Sequence, residues 1–392
     1  MLIIFCILLL LAYLFDLTSS RTKIPSVILL LLLGWGVRKI LELFDVDITG
    51  LTTLLPVFGT VGLIMIVLEG ALELELNRSK FALIKSSFLM TLLGTLVLSI
   101  SLALIFQYYN ELSFRQNLLN AIPFSVISSA IAIPSTRSLP LNTRELVIYE
   151  SSLSDIIGVL LFNFLINNGS ITILSISQFT IDIVIITAVS CAASIALAIF
   201  LKKIDHSIKF VPILLFVILI YEVSQIYHLP ALIFILLFGL FIGNVNELRR
   251  IRWLRKFRPG NLDNEVIKLK EFLTEATFLI RALFFLIFGS SIKRTQLLNI
   301  ETFSWALTIV SCIFILRIIQ LRIAKLPLLP LLFIAPRGLI TILLFLGIGV
   351  SQSIPIVSES LIIQVIVLSA LIMMVGLFID KKDSRITWDY GM

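Results

Sequence analysis

The side chains able to do chemistry in this sequence sit where apolar residues crowd them. Glu150 and Asp155 lie in Glu150-Ser151-Ser152-Leu153-Ser154-Asp155, with Val147-Ile148 before and Ile156-Ile157 after. Three arginines, Arg281, Arg317 and Arg337, interrupt other apolar runs. A charge held in hydrocarbon costs at least about 2.5 to 3.5 kcal/mol on insertion scales, so each needs an opposite charge or a wet cavity. A buried carboxylate in such a setting is by default a site for a proton or an ion, because desolvation makes protonation compete with cation binding. If Asp155 holds one cargo at a time and crosses only when occupied, it must trade one for the other. Ser151 lies one turn before Asp155 on the same helical face and Ser154 one turn after Glu150, which gives two adjacent polar stripes.

A second polar stretch adds oxygen ligands. Ser125, Ser128 and Ser129 precede Pro134 in Ser128-Ser129-Ala130-Ile131-Ala132-Ile133-Pro134-Ser135. Proline lacks a backbone donor and frees a carbonyl one turn back, so the spacing predicts an interruption at Pro134, and free carbonyls and hydroxyls are cation ligands. The plainer reading is a proline kink whose serines bond back to the helix.

The elements that position these residues are membrane spans. Of 392 residues, 59% are apolar and only 14% charged, and mean hydropathy is +1.09. That composition excludes a water-soluble fold and predicts an all-α integral membrane protein. A bilayer core of about 30 Å takes about 20 helical residues. Dividing the apolar runs at their charged or Pro/Gly punctuation gives about thirteen transmembrane helices, beginning near residues 1, 24, 50, 82, 117, 145, 179, 208, 230, 271, 299, 328 and 357. Connections after odd-numbered spans, with the C-terminal tail, hold 23 of the 31 basic residues, and those after even-numbered spans hold five. By the positive-inside rule the N-terminus is outside and the C-terminus cytoplasmic, as for a multi-pass protein of the cell inner membrane.

Depth then relates the charges. Asp155 lies ten residues into the sixth span, about 15 Å from its cytoplasmic end and so at the midplane. Glu150 and Arg317 share a shallower level and can pair; Arg281 shares the level of Asp155 and can balance its charge. An Asp155–Arg281 pair that only fixes packing is the purely structural alternative.

Other classes find little support. The net charge of +7 lies in short strings between apolar blocks, which fits membrane topology rather than nucleic acid. Cys6, Cys191 and Cys312 have neither disulfide nor metal spacing, and His206 and His228 stand alone. No cluster of nucleophile, base and oxyanion donor marks an enzyme, and no cofactor is expected.

The chain resembles the monovalent cation:proton antiporter superfamily over nearly its whole length, in particular bacterial and archaeal NhaP-like sodium/proton antiporters. Glu150 to Asp155 is similar to the family's Glu-Ser-x-x-Asn-Asp signature. The resemblance implies that Asp155 carries the ion and that Glu150 pairs structurally with a buried arginine, which Leu316-Arg317-Ile318-Ile319 matches. Phe278-Leu279-Ile280-Arg281-Ala282-Leu283-Phe284-Phe285 and Pro336-Arg337-Gly338-Leu339-Ile340 resemble two further arginine-bearing segments, which makes Arg281 and Arg337 candidates for charge balance or gating. Leu68-Glu69-Gly70-Ala71-Leu72-Glu73-Leu74 resembles the family's third-helix ending. The signature's Asn is Ser154 here, and the family's Thr-Asp-Pro is replaced by a stretch closer to the Ser-Ser-Thr-Ala of the potassium-efflux branch, so sodium and potassium both stay open.

The resemblance implies an NhaA-like fold: two inverted six-helix repeats, about 1–168 and 208–380, with interrupted crossing helices and a linker helix at about 179–201. Residues 1–380 then form the transmembrane antiporter domain and 381–392 a short cytoplasmic tail. A homodimer in the lipid bilayer is implied as well. The function expected is exchange of sodium or potassium for protons through Asp155, with Ser128, Ser129, Ser151 and Ser154 around it; the alternative is a potassium channel or a non-transporting membrane scaffold of the same fold.

Overall fold

A computed structural model of the chain describes residues 2–22, 24–43, 54–74, 80–136, 139–168, 172–203, 210–227, 229, 231–244, 262–297 and 299–379. The expectations for His206, His228 and the 381–392 tail lie outside these residues. All regular elements among them are helical: α1 (Leu2–Thr22), α2 (Ser26–Leu43), α3 (Leu55–Glu73), α4 (Phe81–Tyr109), α5 (Phe114–Ser125), α6 (Ser129–Ser135), α7 (Leu141–Asn167), α8 (Ile173–Lys203), α9 (Phe210–Ile226), α10 (Ala231–Gly243), α11 (Leu262–Ser291), α12 (Arg294–Leu297), α13 (Ile300–Ile323), α14 (Leu339–Leu346) and α15 (Glu359–Ile379).

Helix lies in every one of the thirteen spans read from the sequence, the fifth being α5 with α6 and the twelfth holding α14. Seven are long and apolar enough to cross a bilayer: α3, α4, α5 with α6 taken together, and parts or all of α8, α11, α13 and α15. Apolar shorter helices add Cys6–Ser19, Phe210–Ile226 and Ala231–Gly243. The interruption and the polar content of the remaining spans follow from burial. α7, rich in serine and acid, packs against α4, α5, α6 and α3. Helices that bury little, with 17% of the apolar stretch of α8 and 28% of that of α13 enclosed, show their apolar side chains outward, as lipid requires.

Local chemistry sets several boundaries. Ser113 begins α5 with a reciprocal cap: its hydroxyl accepts from Gln116 N at 3.3 Å, and Gln116 Oε1 accepts from Ser113 N at 3.4 Å. Asn299 begins α13 by accepting from Glu301 N at 3.0 Å. α2 and α11 touch backbone to backbone where Gly289 meets the Leu31 carbonyl, 2.5 Å from where a Cβ would stand. Only glycine permits so close a crossing without an aqueous driving force to hold it.

Candidate functional site

The break between α5 and α6 places the site. Val126 and Ser128 are extended, at φ −84°, ψ 127° and φ −76°, ψ 115°. β-branched Val126 and Ile127 between serines are poor helix formers, and each backbone donor of the break finds a partner other than a carbonyl one turn back. Ile127 N donates to Ser154 Oγ at 2.9 Å, Ser128 N to Pro336 O at 2.9 Å, and Ser129 N to Asp155 Oδ2 at 3.3 Å. The Ser129 hydroxyl donates to that same Asp155 oxygen. The break thus precedes Pro134 instead of falling on it. Pro134 sits inside α6, a helix of seven residues. The carbonyl that its missing N–H releases, Ala130 O, accepts from Arg281 Nη1 at 3.4 Å.

A second non-helical segment crosses here, the stretch before α14. Residues 335–338 are non-helical before α14 begins at Leu339, and Pro336 O takes the Ser128 donor. Gly338 faces Ser128: a Cβ there would stand 2.7 Å from its hydroxyl oxygen and 3.1 Å from its Cβ. Arg337 ties the two segments together, with Nε donating to Phe124 O at 2.5 Å and Nη1 to Ala335 O at 2.8 Å. Phe124 O lies at the C-terminal end of α5, where a cation is favoured by the exposed carbonyls. Ser369 Oγ accepts from Arg337 N at 3.0 Å and anchors the crossing on α15.

At the centre Asp155 is 1% exposed. Its Oδ2 is held by Ser129, while its Oδ1 and the Ser128 hydroxyl are buried without a hydrogen-bond partner. Buried polar atoms are nearly always bonded, and unmet ones mark a place for something else to bind. Ser151 is fully buried, but its hydroxyl donates to Val147 O at 2.7 Å along its own helix. Ser154 serves the break instead of pointing its proton at Asp155.

Glu150 faces the other way, to α13. Arg317 Nη2 donates to its Oε2 at 2.7 Å and Nη1 to its Oε1. Arg317 Nε and Nη2 also donate to Leu331 O, both at 3.3 Å. This is a bidentate pair with its remaining donors satisfied, the form in which a buried ion pair is tolerable.

Arg281 departs from the depth argument. Its Nη2 meets Asp16 Oδ1 at 3.4 Å, so the structure matches it with α1 and not with Asp155. It lines a cavity of about 140 Å³ with Asp16, Glu69, Glu73, Arg144 and Thr274, and the cavity reaches Ser129 and Ala130. Depth along an axis does not fix which face of a helix looks where, and the expected balance of Arg281 against Asp155 rested on depth alone. In the sequence Asp16, Glu69 and Glu73 stand towards the ends of apolar runs. The four-residue spacing of Glu69 and Glu73, which puts both on one face of α3, was the signal available for them.

Comparison with known proteins agrees with this architecture. The family model described as sodium/hydrogen exchanger, transmembrane, matches residues 6–380. The chain therefore belongs to the sodium/hydrogen exchanger family, a family of transporters and not of enzymes. Two solved structures share its fold. One is the structure of the sodium proton antiporter MjNhaP1 from Methanocaldococcus jannaschii at pH 8, with TM-score 0.68, 20% identity, and 95% of this chain and 94% of that one covered. The other is the electron-microscopy map of the same antiporter, with TM-score 0.68, 19% identity and coverage of 95% and 93%. No curated protein matches significantly in sequence.

Proposed function

We propose that this protein exchanges a monovalent cation, sodium or potassium, for protons, with Asp155 as the carboxylate that both cargoes share. The observation that carries the reading is the unmet Oδ1 of a fully buried Asp155 at the crossing of two interrupted segments, with the Ser128 hydroxyl unmet in the same break. A protonated Asp155 is a neutral group that hydrocarbon tolerates. A deprotonated one needs a cation, which Oδ1 and the Ser128 and Ser129 oxygens can ligate. One carboxylate then trades one proton for one cation, which makes the exchange electroneutral. The family match and the antiporter fold support exchange as the class of activity.

Around this site, Glu150 and Arg317 act as a structural pair, Arg337 holds the crossing, and Arg281 balances the acids of the adjoining cavity. Ser151 and Ser154 set the face of α7. The two interrupted segments belong to inverted repeats at about 1–168 and 208–380, joined by a linker helix at about 179–201. The basic loops put the N-terminus outside and the C-terminus in the cytoplasm of a cell inner membrane, and the protein works as a homodimer.

Reconstituted vesicles with an internal pH dye test the exchange. Adding sodium or potassium outside should drive protons the opposite way, without a membrane potential. Potassium flux with no proton movement would replace the reading with a channel, and no flux of either kind with a scaffold.

A further inference from the structure

The seam between α4 and α13 holds a second cavity, of about 420 Å³. Its walls are apolar side chains that face outward: Leu93 is 54% exposed, Val97 48%, Ile319 49% and Ile323 77%. Both helices are long and apolar enough to cross a membrane, and in a bilayer these walls would meet lipid chains, with the cavity opening sideways into hydrocarbon. Its lining is mostly apolar, and several of the polar groups at its floor already have partners. Arg317 is bound to Glu150 and Leu331 O, Ser154 accepts from Ile127 N, and Arg337 donates to Phe124 O and Ala335 O. Such a floor leaves little for water to bind, and the space suits a hydrocarbon chain.

The rim supplies the other half of a ligand. Ser86 and Ala324 line one end of the cavity, and their neighbours Lys85, Arg322 and Lys325 are exposed there. Three cations at the end of two adjacent spans form the recognition pattern for anionic headgroups. At the opposite end of the seam Tyr109 packs on Trp305 at 5.0 Å, as amphipathic rings do at a membrane interface.

We propose that this slot binds one anionic phospholipid of the leaflet beside Lys85, Arg322 and Lys325, its phosphate on the rim and an acyl chain in the cavity. The chain then shields the Glu150–Arg317 pair from the bilayer side. The inference rests on the chain spanning a membrane and holds whether or not Asp155 exchanges ions.

Native mass spectrometry of the full-length protein in mild detergent, titrated with phosphatidylglycerol or phosphatidylcholine of equal chains, reads it out. The expected result is one phosphatidylglycerol per protomer held about tenfold or more tighter than phosphatidylcholine. Lys85→Gln/Arg322→Gln/Lys325→Gln should abolish that preference by removing the rim, and Leu93→Trp should abolish it by filling the slot. Val97→Trp serves if Leu93→Trp does not fold. Equal retention of the two lipids overturns the proposal. So does loss in the rim variant with no loss in either filled-slot variant, since that would place the lipid on the surface only.

Discussion

Arg317 reaches from α13 to hold both carboxylate oxygens of Glu150 on α7, 167 residues earlier in the chain. Glu150 and Asp155 are five residues apart, so they project about 140° from one another around α7. Clamping Glu150 to α13 therefore fixes the rotation that turns Asp155 toward the break between α5 and α6. One contact thus bears on both stability and the aim of Asp155.

Removing either member of this pair strands a buried charge. Arg317→Met and Glu150→Gln should each destabilise the protein by about 3–5 kcal/mol, read as a fall in unfolding temperature in detergent. The double variant Glu150→Gln/Arg317→Met should recover most of the loss. A double variant no better than the worse single one would show that the pair does more than hold α7 against α13.

Ser129 donates twice to Asp155 Oδ2, from its N–H and its hydroxyl. A hydrogen bond to a charged acceptor contributes about 1.5–3 kcal/mol, and on the proposed exchange the carboxylate is the form that takes a cation. Ser129→Ala should therefore raise the KM for sodium or potassium about tenfold at fixed pH while the maximal rate changes little. Proton flux against cation concentration in vesicles measures it, and an unchanged KM would detach Ser129 from the site.

Gly338 leaves room for the Ser128 hydroxyl. In Gly338→Ala the new methyl would stand 2.7 Å from that oxygen, which forces the Ser128 side chain or the crossing backbone to move. On the proposed ligand role of Ser128, exchange should drop by about tenfold or more, and the crowding, which also brings the methyl 2.7 Å from Ile131 Cδ1, should cost about 1–3 kcal/mol of stability. Ser128→Ala combined with Gly338→Ala should then add little further loss.

Arg337 satisfies two carbonyls at the crossing. Arg337→Met keeps the bulk and drops the donors, leaving Phe124 O and Ala335 O buried and unmet at about 1–3 kcal/mol each. Thermal unfolding should register the loss, and the Arg337→Lys variant, with its compact single head, should restore only part of it.

Much of this architecture was legible in the residues, because hydrocarbon constrains a sequence strongly. Apolar runs and their punctuation located thirteen helical spans, and equal depth brought Glu150 to Arg317. Where the reading fell short, the information was rotational or local. Counting residues along the spans sets Arg281 level with Asp155, but α11 turns Arg281 to Asp16 and Ala130 O. Pro134 is the visible helix breaker, yet the chain opens at Val126–Ser128, where Ser154, Asp155 and Pro336 O accept the backbone donors that a helix would otherwise use. Such partners come from segments distant in sequence, and no local pattern announces them. The acids Asp16, Glu69 and Glu73 looked like span ends until packing gathered them around one cavity.

The trade of one cargo for another at Asp155 is tested most directly by counting protons. Purified protein in weakly buffered detergent, saturated with sodium or potassium, should release one proton per protomer, and Asp155→Asn should release none. No release from the native protein, or undiminished release from Asp155→Asn, would contradict the account.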